Sequence, residues 1–355
     1  MDLKVFIDVS IQPERFNTLM NYTLKYKILD KYNIQIVDDY NKSDLIIFLV
    51  SSRINLANLE EKHKYIFKTK KPIILLERVD SSISWARDLD KIYNLKAVFK
   101  NRKLRNIKEQ NTNETYYGKY QFFLIHKKFE LNELITNNAV DVGITYYPKN
   151  KKLKELSKIN LKKIMCVLWD YHSSPLCPKH PSLSMDYFRV NPIDYNKTID
   201  VFCVNQTKTN NFVNIPREKA KSIVNSLNPE YKVVTKNLKH DEYEKIFPKC
   251  KIAVACWGFG EWVHMDAYAM YAGAILIKPD TDYVKMYPDI YKSGVHYVKC
   301  NQDYSDLKEK IIEVLNNYDK YLPMIKKNRE DLMKINLKNT SDLFWKKVKE
   351  VMNND

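Results

Sequence analysis

Short, continuously apolar runs alternate with segments of helical periodicity, and this alternation occurs twice along the 355 residues. Runs such as 45–50 and 252–256 are apolar at nearly every position, which is typical of strands buried on both faces of a sheet. Between such runs, apolar residues recur about one helical turn apart, as at Leu19, Tyr22 and Tyr26. The pattern predicts an α/β protein with two doubly wound, Rossmann-like parallel sheets covered by helices.

The predicted elements divide evenly between the two halves of the chain. In the first half we predict strands at 3–9, 34–37, 45–50, 72–76, 95–99 and 164–170, helices at 16–32 and 56–67, and weaker strand signals at 118–126 and 139–147. In the second half we predict strands at 199–204, 231–234, 252–256 and 274–277, and helices at 216–227, 240–247, 261–272, 305–317, 321–335 and 341–352.

A cluster of prolines separates the halves, at Pro175, Pro178, Pro181 and Pro192. Proline at this density opposes both helix and central strand, so the segment predicts a linker. The predicted organisation is therefore an N-terminal Rossmann-like domain at 1–172, a linker at 173–195, a C-terminal Rossmann-like domain at 196–340 and a terminal helix at 341–355.

The composition of the chain excludes several classes of protein. Lys and Arg exceed Asp and Glu by 59 to 43, and the net charge of +16 permits anionic partners without selecting one. No nucleic-acid-binding signature accompanies the charge, and no apolar run reaches the roughly 18 residues of a membrane span. The six cysteines form no CxxC pair, which favours free thiols in a reducing compartment and a cytoplasmic protein without an integral membrane segment.

The segment 252–279 holds three of only six glycines: Gly258, Gly260 and Gly273. A Gly-x-Gly turn before a helix presents unpaired backbone N–H groups and a partial positive charge, which suits a phosphate. The third glycine of a dinucleotide fingerprint would fall at Val263, so NAD binding is weakly supported. A tight turn that binds nothing is the alternative.

Polar side chains crowd the same segment. Glu261, His264 and Tyr268 lie about one turn apart on the predicted helix, Asp266 lies on another face, and Lys278 ends the next strand. Carboxylates suit ribose or sugar hydroxyls, and cations suit a diphosphate. The set predicts a nucleotide-sugar site, with an exposed helix face as the alternative.

The order Trp257-Gly-Phe-Gly-Glu261, followed by Ala-Met-Tyr-Ala-Gly-Ala-Ile-Leu-Ile-Lys-Pro at 269–279, resembles the donor-site region of GT-B glycosyltransferases. The exostosin-like and spore-coat (CgeB-like) groups are the most similar. These groups read Gly-x-Gly-Glu, then Arg-x-x-Glu, then Ala-x-x-x-Gly. With Gly273 aligned, their Arg falls at Met265 and their Glu at Tyr268, and both positions depart from the pattern. The resemblance covers 196–340, whereas the first half matches in architecture alone.

The resemblance implies two Rossmann-like domains facing across a cleft, with a nucleotide-sugar donor on the second and a glycan or glycoprotein acceptor on the first. The donor would be a UDP-, GDP- or dTDP-linked hexose or deoxyhexose, and no other cofactor is implied. Donor phosphates would also meet the loop after the second half's first strand, at Asn205, Gln206 and Lys208. A polar turn is the alternative there. The helix at 341–355 is the candidate for a terminal helix that returns to the first domain.

Catalysis by inversion needs a base for the acceptor hydroxyl. Strand ends of the first half offer Asp80, Asp170 and His172 as candidates, each with a turn or capping role as the alternative.

Two other readings of the chain stay open. Asp280 and Asp282 follow a strand, as the metal-binding carboxylates of a GT-A enzyme would, although two preceding α/β units are atypical of that fold. The departures at Met265 and Tyr268 suit a GT-B protein that binds a nucleotide or glycan without turnover. We predict a transferase that holds no metal.

Overall fold

The structure is a computed structural model of the 355-residue chain. It describes residues 2–8, 13–51, 61–78, 92–100, 102–104, 164–166, 191–204, 214–258, 263–286, 289–334 and 337–353.

The first sheet has six parallel strands: β1 Leu3–Asp8, β2 Ile34–Val37, β3 Leu45–Ser51, β4 Ile73–Arg78, β5 Leu95–Lys100 and β7 Ile164–Cys166. Their order is β2-β1-β3-β4-β5-β7. The described helical segments of this half are α1 Pro13–Lys25, α2 Ile28–Lys31 and the 3₁₀ turns Tyr40–Lys42 and Glu61–Phe67.

The second sheet has five parallel strands: β8 Ile199–Phe202, β9 Val233–Val234, β10 Cys250–Val254, β11 Ile275–Pro279 and β13 Val298–Cys300. Their order is β13-β11-β10-β8-β9. The helical segments are α3 Asn214–Asn225, α4 His240–Ile246, α5 His264–Ala272, α6 Leu307–Asn316, α7 Leu322–Met333 and the 3₁₀ turns Phe247–Lys249 and Tyr318–Tyr321.

Both sheets have the same doubly wound order. In each, the first strand of the unit lies between the second and the third. The chain therefore adds its second strand on one side of the first strand and its third strand on the other side, which reverses the strand order there. The predicted fold class, α/β with two doubly wound, Rossmann-like parallel sheets, is confirmed. Ligands of open α/β sheets bind beyond the carboxyl ends of the strands at such a reversal, called the switch point.

Apolar residues fill both faces of each sheet. On β10, Ile252 and Val254 pack into one cluster with α3, α6 and α7, whereas Ala253 packs into another with α4 and α5. The complete burial of alternate positions on both faces explains why the strand is apolar throughout.

Two further elements join the halves. The helix α8 Leu337–Asn353 places Phe344, Trp345 and Val348 in the core of the first sheet. The Trp345 indole N–H donates to Thr23 Oγ1 on α1 at 3.0 Å. A short antiparallel ribbon pairs β6 Arg102–Leu104 with β12 Val284–Met286.

Several element boundaries differ from the sequence prediction. The predicted helix 16–32 is divided, because Lys27 adopts a left-handed conformation (φ 51°) between α1 and α2. The predicted helix 261–272 begins at His264. The signals at 118–126 and 139–147 and most of the proline-rich segment lie outside the described residues. Among the helices that are described, none is long and apolar enough to cross a membrane.

Candidate functional site

The switch point of the second sheet lies between β8 and β10, which are adjacent and parallel. Residues 203–204 continue β8, and Ala255, Cys256, Trp257 and Gly258 continue β10. Trp257 is buried, its backbone N–H donates to the Tyr304 hydroxyl at 3.0 Å, and its indole N–H donates to the Gln302 carbonyl at 3.0 Å. These bonds fix the chain where it enters the glycine turn.

Arg217, which was not among the predicted site residues, also lies at this switch point. Its Nε–H donates to the Trp257 carbonyl at 2.9 Å, and burial lowers the pKa of its guanidinium. The residue belongs to the first turn of α3, where the helix dipole disfavours a cation. The sequence did carry a signal for this residue. A positive charge at a helix N-terminus is unfavourable, so an arginine there indicates that another interaction stabilises it.

Asp266 and Lys278, both predicted site residues, form a buried ion pair. Their side chains are 0% and 5% exposed, and Lys278 Nζ lies 2.5 Å from Asp266 Oδ2. The same carboxylate oxygen accepts from the Val263 N–H at 3.5 Å, at the residue before α5. This cap explains why α5 begins at His264 instead of Glu261, and it places a negative charge at the helix's positive end.

A small pocket lies between Trp257 and the Asp266–Lys278 pair, at the carboxyl edge of the sheet. It is lined by residues after β10, before and within α5, and at the end of β11: Ala255, Cys256, Trp257, Val263, Asp266, Lys278, Pro279 and Thr281. The structure therefore brings together Trp257, Asp266 and Lys278 of the predicted donor site.

Met265 and Tyr268, which replace the Arg and Glu of the resembling families, face the apolar core. They are 8% and 3% exposed. The Tyr243 hydroxyl on α4 donates to Met265 Sδ at 3.5 Å, the rings of Tyr243 and Tyr268 lie 6.0 Å apart, and burial raises the pKa of Tyr268. Tyr268, predicted as a donor ligand, packs within the domain.

Most of the other predicted site residues lie outside the described part of the chain. These are Asp80, Asp170, His172, Asn205, Gln206, Lys208, Gly260 and Glu261. For His264 the structure describes the backbone and not the side chain. Their roles stay predictions.

Asp280 and Asp282 are bound to groups of the protein itself. Lys299 Nζ lies 3.4 Å from the Asp280 carboxylate and 3.7 Å from that of Asp282, and the Tyr297 hydroxyl lies 3.4 and 3.1 Å from them. Ser293 also donates its backbone N–H to Asp282 at 3.1 Å. Within the described ranges, no group of three His, Cys, Asp or Glu side chains is placed to hold a metal ion. The GT-A alternative is therefore not favoured.

No family model matches the sequence, and no curated protein matches it. Among solved structures, the chain is similar to an α1,3-fucosyltransferase crystallised with GDP-fucose (14% identity, TM-score 0.37), over 100% of this chain and 91% of that one. It is also similar to a glycosyltransferase from Rickettsia africae (9%, TM-score 0.46, 100% of both chains). A third is the T4 phage β-glucosyltransferase (12%, TM-score 0.35, 99% of this chain and 100% of that one).

These likenesses are remote and concern architecture alone. The three structures are glycosyltransferases by name, whereas the exostosin-like or CgeB-like assignment stays a prediction.

Proposed function

We propose that the chain is a metal-independent glycosyltransferase that moves a sugar from a nucleotide-sugar donor to a glycan or glycoprotein acceptor. The observation that carries the proposal is Arg217, held by the Trp257 carbonyl at the switch point of the second sheet. The guanidinium is half-buried beside the residues that continue β10, where it can give charge-assisted hydrogen bonds to the diphosphate of a donor.

In this proposal the diphosphate lies beyond β8 and β10. Arg217 donates to the phosphate oxygens, together with the backbone N–H groups of Gly258 and Gly260. The loop at Asn205, Gln206 and Lys208 supplies further donors from the β8 side. Glu261 and His264 then reach the ribose or the sugar, while the Asp266–Lys278 pair fixes the start of α5 behind them.

The acceptor lies on the first domain, across the cleft that two facing Rossmann-like domains form. Asp80, Asp170 and His172 are the sequence-derived candidates for the base, since they end or follow predicted strands of that domain. We propose that the reaction takes place in the cytoplasm, where nucleotide sugars are available, and that it involves no nucleic acid.

A screen of UDP-, GDP- and dTDP-sugars tests the proposal. Thermal shift and calorimetry report binding, and release of the nucleotide reports transfer or hydrolysis. We expect one nucleotide class to raise the melting temperature and its sugar conjugate to be turned over equally well in EDTA. The proposal is wrong if no nucleotide or nucleotide sugar binds.

Arg217 gives the sharper test. Arg217→Ala should weaken nucleotide binding by about 10- to 100-fold, because charge-assisted hydrogen bonds contribute about 1.5–3 kcal/mol. Arg217→Lys should recover part of the affinity, since the charge stays but the planar fork is lost. Lys219→Ala is the matched control, an exposed cation half a turn further along α3. If folded Arg217→Ala protein binds the nucleotide with wild-type affinity, the diphosphate does not lie at this switch point.

Binding without turnover is the second candidate. It is favoured by the apolar packing of Met265 and Tyr268 where the resembling families carry charges. Nucleotide binding together with no transfer or hydrolysis across a wide acceptor panel would select it over the enzyme.

A further inference from the structure

An exposed group of apolar side chains lies where α1 ends and α8 begins. Leu24, in the last turn of α1, is 60% exposed, Tyr26, just after that helix, is 41% exposed, and Met333, at the end of α7, is 43% exposed. These are three of the six large apolar side chains that are exposed in the described part of the chain. The Asn339 amide donates to the Lys334 carbonyl at 3.4 Å, so the end of α7 lies beside the start of α8. Single exposed apolar residues are common on proteins, whereas several at one place indicate a contact surface.

Lysines surround this apolar group. The ammonium groups of Lys25 and Lys338 lie over the ring of Tyr26, at 5.6 and 5.2 Å from its centroid. Lys27 is exposed directly after the ring, and the side chain of Lys334 is 71% exposed. Because Lys25 ends α1 and Lys338 belongs to the first turn of α8, cations from opposite ends of the chain meet at one aromatic ring.

The carboxylates of the same elements do not balance these charges. Asp342 binds Lys31 at 2.6 Å, and Asp331 binds Lys334 at 3.0 Å. Asp30 is exposed on α2. Each of the two pairs neutralises one lysine, so the lysines around the aromatic ring stay in excess of acidic groups. The surface is therefore both apolar and cationic.

This surface lies at the amino edge of the first sheet. α1 follows the carboxyl end of β1, and the chain returns after α2 to the start of β2, which is parallel to β1. The Leu3 N–H donates to the Asn33 carbonyl at 2.9 Å, so the turn after α2 lies beside the start of β1. Ligands of open α/β sheets bind at the opposite, carboxyl edge.

We propose that the surface formed by Leu24, Tyr26 and Met333, with the lysines around them, docks the protein on an anionic lipid membrane. The apolar side chains enter the boundary between headgroups and acyl chains, and the lysines meet the lipid phosphates. A polyanion without an apolar phase, such as a nucleic acid, would use the lysines but leave Leu24 and Met333 in water. The binding is peripheral and reversible, since few side chains insert.

The inference goes beyond the proposed function and does not rest on it. Vesicle binding and nucleotide binding use different edges of the molecule and are measured separately. A protein that binds vesicles and no nucleotide would contradict the proposed function alone.

Cosedimentation of the full chain with lipid vesicles measures the docking. We expect vesicles of phosphatidylcholine and phosphatidylglycerol to bind the protein, and vesicles of phosphatidylcholine alone to bind it more weakly by about ten-fold or more. High salt should weaken the binding to the anionic vesicles, because it screens the lysines.

The double variant Leu24→Ser/Tyr26→Ser tests the apolar side chains at unchanged net charge. It should bind the anionic vesicles about ten-fold more weakly than the wild type, since less apolar surface leaves water. Its binding to heparin, a polyanion without acyl chains, should stay at the wild-type level. Tyr93→Ser/Tyr195→Ser is the matched control, because these rings are 78% and 61% exposed elsewhere on the protein. It should bind the vesicles as the wild type does.

Two triple variants remove the same charge from different places. The first changes the lysines around the Tyr26 ring, Lys25→Gln/Lys27→Gln/Lys338→Gln, and the second changes exposed lysines of the second half, Lys236→Gln/Lys308→Gln/Lys326→Gln. The first should weaken vesicle binding by about 100-fold, and the second by less than about ten-fold. Wild-type melting temperatures show that the variants are folded.

Three outcomes overturn the inference. The first is a wild-type protein that does not bind the anionic vesicles. The second is wild-type vesicle binding by folded Leu24→Ser/Tyr26→Ser protein, which would leave attraction of charges alone. The third is an equal loss in the two triple variants, which would assign the binding to the net charge of the chain and not to this surface.

Discussion

At the scale of single residues, Asp266 and Lys278 form a buried ion pair at the carboxyl edge of the second domain. Both side chains are buried, so removing one charge leaves the other buried without this counter-charge. We expect Lys278→Met to lower the free energy of unfolding by about 3–5 kcal/mol, measured in urea. The double variant Asp266→Asn/Lys278→Met should lose less of this free energy. In it, the amide carbonyl still accepts from the Val263 N–H, and neither charge of the pair remains.

The test is which of the two variants has the higher free energy of unfolding. If the double variant is no more stable than Lys278→Met alone, the loss comes from the contacts of the Lys278 ammonium with the Tyr291 and Tyr297 rings, and not from the charge left on Asp266. Nucleotide affinity of the folded double variant then shows separately whether the pair touches the donor.

Pairs of this kind could be predicted only in part from the sequence. Asp266 and Lys278 were both selected, since each lies in the glycine-bearing segment, but their contact was not. Asp8 and His63, whose side chains form a buried hydrogen bond, are 55 residues apart, and Arg217 contacts a backbone carbonyl 40 residues away, so no local periodicity connects them. Such contacts follow from strand order, which the sequence pattern does not specify.

At the scale of elements, the end of α5 depends on Gly273. The residue has φ +70°, and a Cβ there would lie 2.4 Å from Ile193 Cγ2. Gly273→Ala should lower the free energy of unfolding by about 1–2 kcal/mol for the left-handed backbone, and by about 1–3 kcal/mol more for the overlap with a stiff, β-branched side chain. Chemical denaturation gives the value.

Gly294 supplies the control for the backbone contribution. Its φ is +75°, but a Cβ there would meet no atom within 4 Å. Gly294→Ala should therefore show the backbone cost alone, and the difference between the two variants measures the overlap. Equal losses at both glycines would mean that Ile193 moves aside freely.

Element prediction succeeded where burial is strongest. β3, β4, β10 and β11 were recognised because apolar residues fill both faces, with ends displaced by one or two residues. The break at Lys27 was missed because the apolar spacing continues through it. The ribbon of β6 and β12 was missed because three-residue strands pair only when the two halves meet.

At the scale of the whole molecule, the last helix of the chain completes the core of the first half. Phe344, Trp345, Val348 and Val351 of α8 belong to the cluster that covers one face of the first sheet. The aromatic ring of Phe344 meets Phe99 of β5 edge-on at 5.5 Å. The first domain is thus complete only when residues from the far end of the chain have packed against it.

Removal of 337–355 should therefore unfold the two halves unequally. The first sheet would expose the apolar face that α8 covers, whereas no α8 side chain that the structure describes belongs to the second sheet's two clusters. We expect limited proteolysis of the truncated chain to degrade the first half and leave a protected fragment beginning near the proline-rich segment. Trp345→Ala is a milder change than the truncation, and we expect it to lower the free energy of unfolding by about 3–5 kcal/mol. Lys346→Ala, at an exposed position of the same helix, is its control. If the truncated chain kept both halves equally protected, the contribution of α8 to the first core would be dispensable. If the protected fragment also bound the nucleotide that the full chain binds, the donor site would belong wholly to the second domain.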